Sequence, residues 1–145
     1  MMLVVVFCAG CASVHLPPVN LAQPGWNTMQ GQAIWQPPGH RAEMAGELLL
    51  ATNVNGDFFV QFSKSPFTVA TAEFSGGKWE IQFGAKDYHK SGRGAPPARF
   101  SWFELPRALN GSHPGSIWKF EYQPGGAWRL ENRRTGETLE GRFFP

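Results

Sequence analysis

Side chains with chemical capability are scattered along this 145-residue chain. The four histidines, His15, His40, His89 and His113, fall in segments that read as loops or element ends. None has a second ligand at the short spacing that marks a local metal motif. Asp87, His89 and Ser91 offer acid, base and nucleophile within five residues, but a catalytic trio is defined by roles in three dimensions and not by adjacency. Gly92-Arg93-Gly94 lacks the strand-to-helix setting in which glycine-rich loops hold phosphate, and no nucleophile elbow is present. Arg133-Arg134 lies beside a turn and reads as a solvated or lipid-headgroup-facing pair. The expectation is a protein without catalytic residues, metal or cofactor. With 13 basic residues interspersed among 11 acidic ones, the net charge of +2 does not describe a nucleic-acid-binding surface.

The two cysteines carry the clearest chemistry. Residues 1–10 begin with an apolar run, MMLVVVFCA, too short to span a bilayer and similar to the apolar core of a secretory signal peptide. Cys8-Ala9-Gly10-Cys11 follows directly, and small residues before a cysteine in that context resemble the bacterial lipobox. Cys11 would then be acylated and become the mature amino terminus, anchored by about 0.8 kcal/mol per buried methylene. The alternative is a buried amino-terminal strand with incidental cysteines. On the lipobox reading Cys8 leaves with the signal and no thiol remains for a disulfide, so the domain must be stable without one. Ala12, not Asp, follows Cys11, which under the usual sorting rule favours the outer membrane. Residues 11–25, with three prolines and no periodicity, read as a tether. Residues 26–145 remain as one domain.

The elements of that domain are organised around residues 58–83, FFVQFSKSPFTVATAEFSGGKWEIQF. Phe58, Val60 and Phe62 fall on one face with Gln61 and Ser63 on the other, and Trp79, Ile81 and Phe83 alternate with Lys78, Glu80 and Gln82. A period of two marks strands with one apolar face. Ser75-Gly76-Gly77 and Asn55-Gly56 are hairpin signals. Residues 28–36 alternate around Met29, Gly31, Ala33 and Trp35, and residues 42–52 read as a strand with Met44, Gly46, Leu48 and Leu50 on one face. Lys86 to Tyr88 extends the sheet before SGRGAPP (91–97) breaks it. Residues 98–111 are the helix candidate, divided by Pro106 into one or two short turns. Three more strands follow: Trp118, Phe120 and Tyr122 share a face in the first, Trp128 and Leu130 in the second, Leu139 and Phe143 in the third. The fold class expected is mostly β, a single curled antiparallel sheet of about eight or nine strands with one short helical segment. The inner aromatic face then requires either barrel closure or a lid.

Lipobox, proline-rich tether, curled antiparallel sheet and a late helical insertion together resemble the LolA/LolB group of lipoprotein carriers, on its membrane-anchored LolB side. Residues 62–83 resemble that family's central hairpin. Ser65-Pro66-Phe67 falls at its loop, where the family carries an exposed apolar residue, so Pro66 and Phe67 match the membrane-inserting position. In FSWFELP (100–106), Trp102, Leu105 and Pro106 match the end of the family's lid helix, with Glu104 standing where the family has glycine. The resemblance implies a half-barrel whose apolar cavity accepts the acyl chains of lipoproteins, received from a periplasmic LolA-like carrier, and passes them to the outer membrane from its periplasmic face. The partners implied are acyl chains, that carrier and a membrane reached through the Cys11 lipid, with no nucleic acid.

Two readings of the inward residues stay open. Trp35, Leu48, Leu50, Phe58, Val60, Phe62, Trp79, Ile81, Phe83, Trp102, Trp118, Phe120, Trp128 and Leu130 would line a cavity in a carrier, with Gly31, Ala33 and Gly46 leaving room for a ligand. The same residues would be plain core in a structural or scaffolding envelope lipoprotein, with the glycines there for close packing. Phe67 is likewise either a membrane-probing tip or a strand-end core residue.

Overall fold

Alternating apolar residues and tight turns produce nine strands in one antiparallel sheet, in a computed structural model describing residues 14–84, 88–112 and 115–145. The signal segment, Cys8, Cys11, Lys86, Asp87 and His113 lie outside the described residues. The strands are β1 (Trp26–Gln36), β2 (Met44–Asn53), β3 (Phe58–Lys64), β4 (Phe67–Ser75), β5 (Lys78–Phe83), β6 (Tyr88–Arg93), β7 (Trp118–Tyr122), β8 (Trp128–Asn132) and β9 (Thr138–Phe143), with one helix, α1 (Ser101–Leu109), between β6 and β7. Met44–Asn53 is thus strand, as Gly46 and the neighbouring proline-rich turn indicated for 42–52, and Phe67 opens β4.

The strand order is β6-β5-β4-β3-β2-β1-β9-β8-β7. The first six strands meander outward from β1, and the last three form a second meander that docks on the free side of β1 through β9, with Trp35 opposite Leu139. The sheet does not close. β6 and β7 are its two edges, so the chain between them must cross the whole concave face, and α1 is the part of that crossing that packs on the core. The topology itself supplies the lid that the aromatic face requires.

Two local expectations are corrected. SGRGAPP does not break the sheet at Ser91: β6 runs through Ser91, Gly92 and Arg93, pairing Gly92 with Trp79 of β5. A Cβ at Gly92 would come within 2.6 Å of the Trp79 ring, so glycine is what lets this edge strand lie against the indole. The helix is a single nine-residue segment with Pro106 inside it rather than two separate turns. Pro106 lacks only the N–H that would reach the Trp102 carbonyl, and the bonds beyond it resume with Asn110 N–H donating to the Pro106 carbonyl at 3.1 Å. At the far edge Tyr122 is 65 % exposed although it shares a face with buried Trp118, because β7 runs past the end of the core. Gly76 and Gly77, at φ 58° and 74°, make the two-residue β4–β5 turn that only residues tolerant of positive φ can form.

Candidate functional site

The concave face is one continuous apolar cluster, and α1 is embedded in it. Trp35, Leu48, Leu50, Phe58, Val60, Phe62, Ile81, Trp118, Trp128 and Leu130 are buried there, with Trp79, Phe83 and Phe120 half-buried at its margins. All of them share this face, as expected. They do not line an open space, however, because Trp102, Phe103 and Leu105 of α1 fill it, each 1 % exposed or less. Trp102 stacks on Phe62 at 5.3 Å between ring centroids and meets Trp35 edge-on at 5.3 Å. Phe103 packs edge-on against Phe58 and Trp79. The small residues of this face serve close approach: a Cβ at Gly46 would lie 2.8 Å from the Phe62 ring, and one at Gly31 would strike the backbone of β9.

α1 is bound by polar contacts as well. Glu137, just before β9, is 3 % exposed. Its Oε1 accepts from Trp35 Nε1 at 3.0 Å and from Ser101 Oγ at 2.7 Å, tying the start of α1 to β1 and β9. Burial raises the Glu137 carboxyl above the usual carboxylate range, and the two hydrogen bonds offset this only in part. Glu104, 1 % exposed, pairs with Arg107 at 3.3 Å. The indole N–H groups of Trp102 and Trp128 are buried with no partner among the described residues. Alternation could have found Glu137, since it has the inward parity of Leu139; nothing local marks Ser101 or Glu104 as buried.

The Glu137 hydrogen bonds lead to a pH prediction. A carboxyl whose folded pKa is raised costs nothing below the ordinary value of 4.5, where it is protonated in both states. Stability then falls as pH rises from that value through the folded pKa, because ionisation is easier in the unfolded chain. In urea titrations across pH, Glu137→Gln is expected to lose this fall while keeping an acceptor for both donors. Glu137→Leu is expected to cost about 2–3 kcal/mol at low pH, by stranding Trp35 Nε1 and Ser101 Oγ, and less as pH rises, because the wild type loses stability there and leucine does not titrate. If Glu137→Gln keeps the wild-type pH slope, the slope has another source.

Open space lies beside the plug. A depression of about 640 Å³ is lined by Ala33, Gly46, Trp128 and Gly141 together with Lys64, Ser65 and Arg142, next to the β3–β4 turn. A second, of about 630 Å³, includes Phe58, Phe74 and Pro106 at the other end of α1. Of the expected cavity residues, Trp128 and Phe58 border these two depressions, and Leu48 borders a third of about 290 Å³. At the β3–β4 turn Phe67 is 72 % exposed, which sets aside its reading as a core residue, and Pro66 beside it is exposed too.

The convex face brings together polar groups from separate segments of the chain. His89 Nε2 lies 2.6 Å from Glu80 Oε1, and His15 stacks on His89, so histidines that look isolated do have ligand-type neighbours. Ser91 is opposite Glu80 in the register. Glu73 faces Glu80 across β4 and β5. Its carboxyl is pushed up to about 7 by burial and by the charges of Glu80 and Asp57. No family model matches this chain, and no curated protein matches it either.

Proposed function

We propose that this protein is an acyl-chain carrier of the LolB kind, a lipoprotein anchored through Cys11 on the periplasmic face of the bacterial outer membrane. It accepts the acyl chains of other lipoproteins on its concave face, received from a LolA-like carrier, and delivers them to the membrane. The observation that carries this reading is that a single nine-residue helix is all that packs, among the described helices, over the apolar face of an open nine-stranded sheet. Such a cover can be exchanged for a ligand. α1 has no side-chain N-cap, contains Pro106 and buries the unpaired indole N–H of Trp102, all of which weaken it as a permanent core element.

The magnitudes support an exchange. Exposing Trp102, Phe103 and Leu105 costs roughly 6–9 kcal/mol, and burying an acyl chain of about 15 methylenes gains about 12 kcal/mol. The balance is close enough for loading and release without nucleotide or metal. A fluorescent acyl probe is expected to bind the full chain saturably, with energy transfer from the native tryptophans and displacement by a triacylated lipopeptide. A flat titration on folded protein would overturn the carrier reading.

The second reading is a structural envelope lipoprotein with a filled core. It is favoured by the packing of Trp102 against Phe62 and Trp35 as the structure stands. Partners would then dock on the edge strands β6 and β7, where Tyr122 is exposed.

A further inference from the structure

Three ligand-bearing side chains, far apart in sequence, meet on the convex face near the β6 edge. His15 comes from the tether, Glu80 from β5 and His89 from β6, and one potential ligand atom from each lies within 4.8 Å of the other two. Strand pairing places His89 opposite Gln82, two pairs along from Glu80 and Ser91 and so on the same face, away from Trp79 and Ile81. The tether is held there independently, since the Leu16 N–H donates to Glu80 Oε2 at 3.0 Å. That bond orients the carboxylate so that Oε1 faces His89.

We propose that His15, Glu80 and His89 bind one divalent transition-metal cation of the zinc type, fastening the amino-terminal tether to the sheet. Two imidazoles and one carboxylate form a donor set that suits Zn²⁺, Cu²⁺ or Ni²⁺ and not Mg²⁺ or Ca²⁺, which take oxygen ligands. Ligand atoms held about 2.0–2.2 Å from a tetrahedral zinc lie roughly 3.3–3.5 Å apart, so side-chain shifts of about 1 Å would complete the site. His15 and His89 are exposed and Glu80 is half-buried, so rotamer changes suffice. The Leu16 N–H on Glu80 supplies the outer hydrogen bond that metal-binding carboxylates ordinarily have. Glu73 stands opposite Glu80 on the neighbouring strand β4. Solvent fills the fourth position.

The site stands on described residues alone and does not require the carrier reading. If Cys11 is the lipid anchor, the metal leaves three residues between it and the clamped His15, a span of about 14 Å when extended. The domain would then ride close to the bilayer and not at the end of a long tether.

The test is titration of the full chain with Zn²⁺ by calorimetry and with Co²⁺ by visible absorption. One equivalent is expected to bind with micromolar or tighter Kd, and Co²⁺ to give the intense bands of a tetrahedral site. His15→Ala, which alters only the tether and leaves the folded sheet intact, is expected to weaken Zn²⁺ binding about 100-fold, as are Glu80→Gln and His89→Ala. His40→Ala should bind like the wild type. Absence of saturable zinc binding overturns the proposal. So does an unchanged Kd in His15→Ala, including the case in which zinc binding is lost instead on Cys8→Ser.

Discussion

Trp102→Ala is expected to lower the unfolding free energy by about 3–5 kcal/mol, and Tm by roughly 10 °C. Trp102 is 1 % exposed and touches Phe62 and Trp35 at once, so its loss opens a cavity at the centre of the α1–sheet contact. Trp102→Phe should cost less than the difference in area implies, because it also removes a buried indole N–H that has no partner among the described residues. The same variants separate the two functional readings. If α1 is a displaceable cover, weakening its hold lowers the cost of uncovering the sheet, so a destabilised but folded Trp102→Ala protein should bind the acyl probe several-fold more tightly than the wild type. If the concave face is only core, stability falls and no binding emerges. Far-UV circular dichroism establishes that the variant is folded before either result is read.

Most of the sheet was legible in the sequence because its strands carry strict alternation, as in Phe58-Val60-Phe62 and Trp79-Ile81-Phe83, and because Gly76-Gly77 and Asn55-Gly56 announce their turns. β6 was not, since Ser91-Gly92-Arg93 has no apolar period: it is an edge strand whose fit depends on Trp79 lying over a glycine. Nor was the filling of the concave face. That follows from strand order, from β9 closing against β1 and so placing β6 and β7 at opposite edges, and strand order is a long-range property with no local signal. The same holds for polar groups. Ser101 becomes a buried residue only because Glu137 is folded against it, and His15 meets His89 only because the tether turns back over β5 and β6. Residues that look inert when read along the chain acquire partners across it.

Replacing Phe67 by Glu is expected to reduce delivery of bound acyl cargo to membrane vesicles about 100-fold while leaving probe binding unchanged. Phe67 is 72 % exposed at the start of β4, beside an exposed Pro66, and it is not among the residues packed on the concave cluster. A phenylalanine there contributes nothing evident to the fold, and burying it in lipid is worth about 2 kcal/mol. A carboxylate reverses the sign, adding about 1 kcal/mol or more at interfacial depth, so the combined change of roughly 3 kcal/mol corresponds to the 100-fold loss. The variant's stability should stay within about 0.5 kcal/mol of the wild type, as for any exposed substitution. Phe67→Leu, which keeps the apolar tip, should deliver nearly as well as the wild type. The adjacent depression is lined by Lys64 and Arg142 but equally by Glu47 and Glu140, so its charges balance and delivery should depend little on the charge of the vesicle. Delivery by Phe67→Glu at the wild-type rate would remove the hairpin from the membrane contact and leave its exposure to be explained by a protein partner.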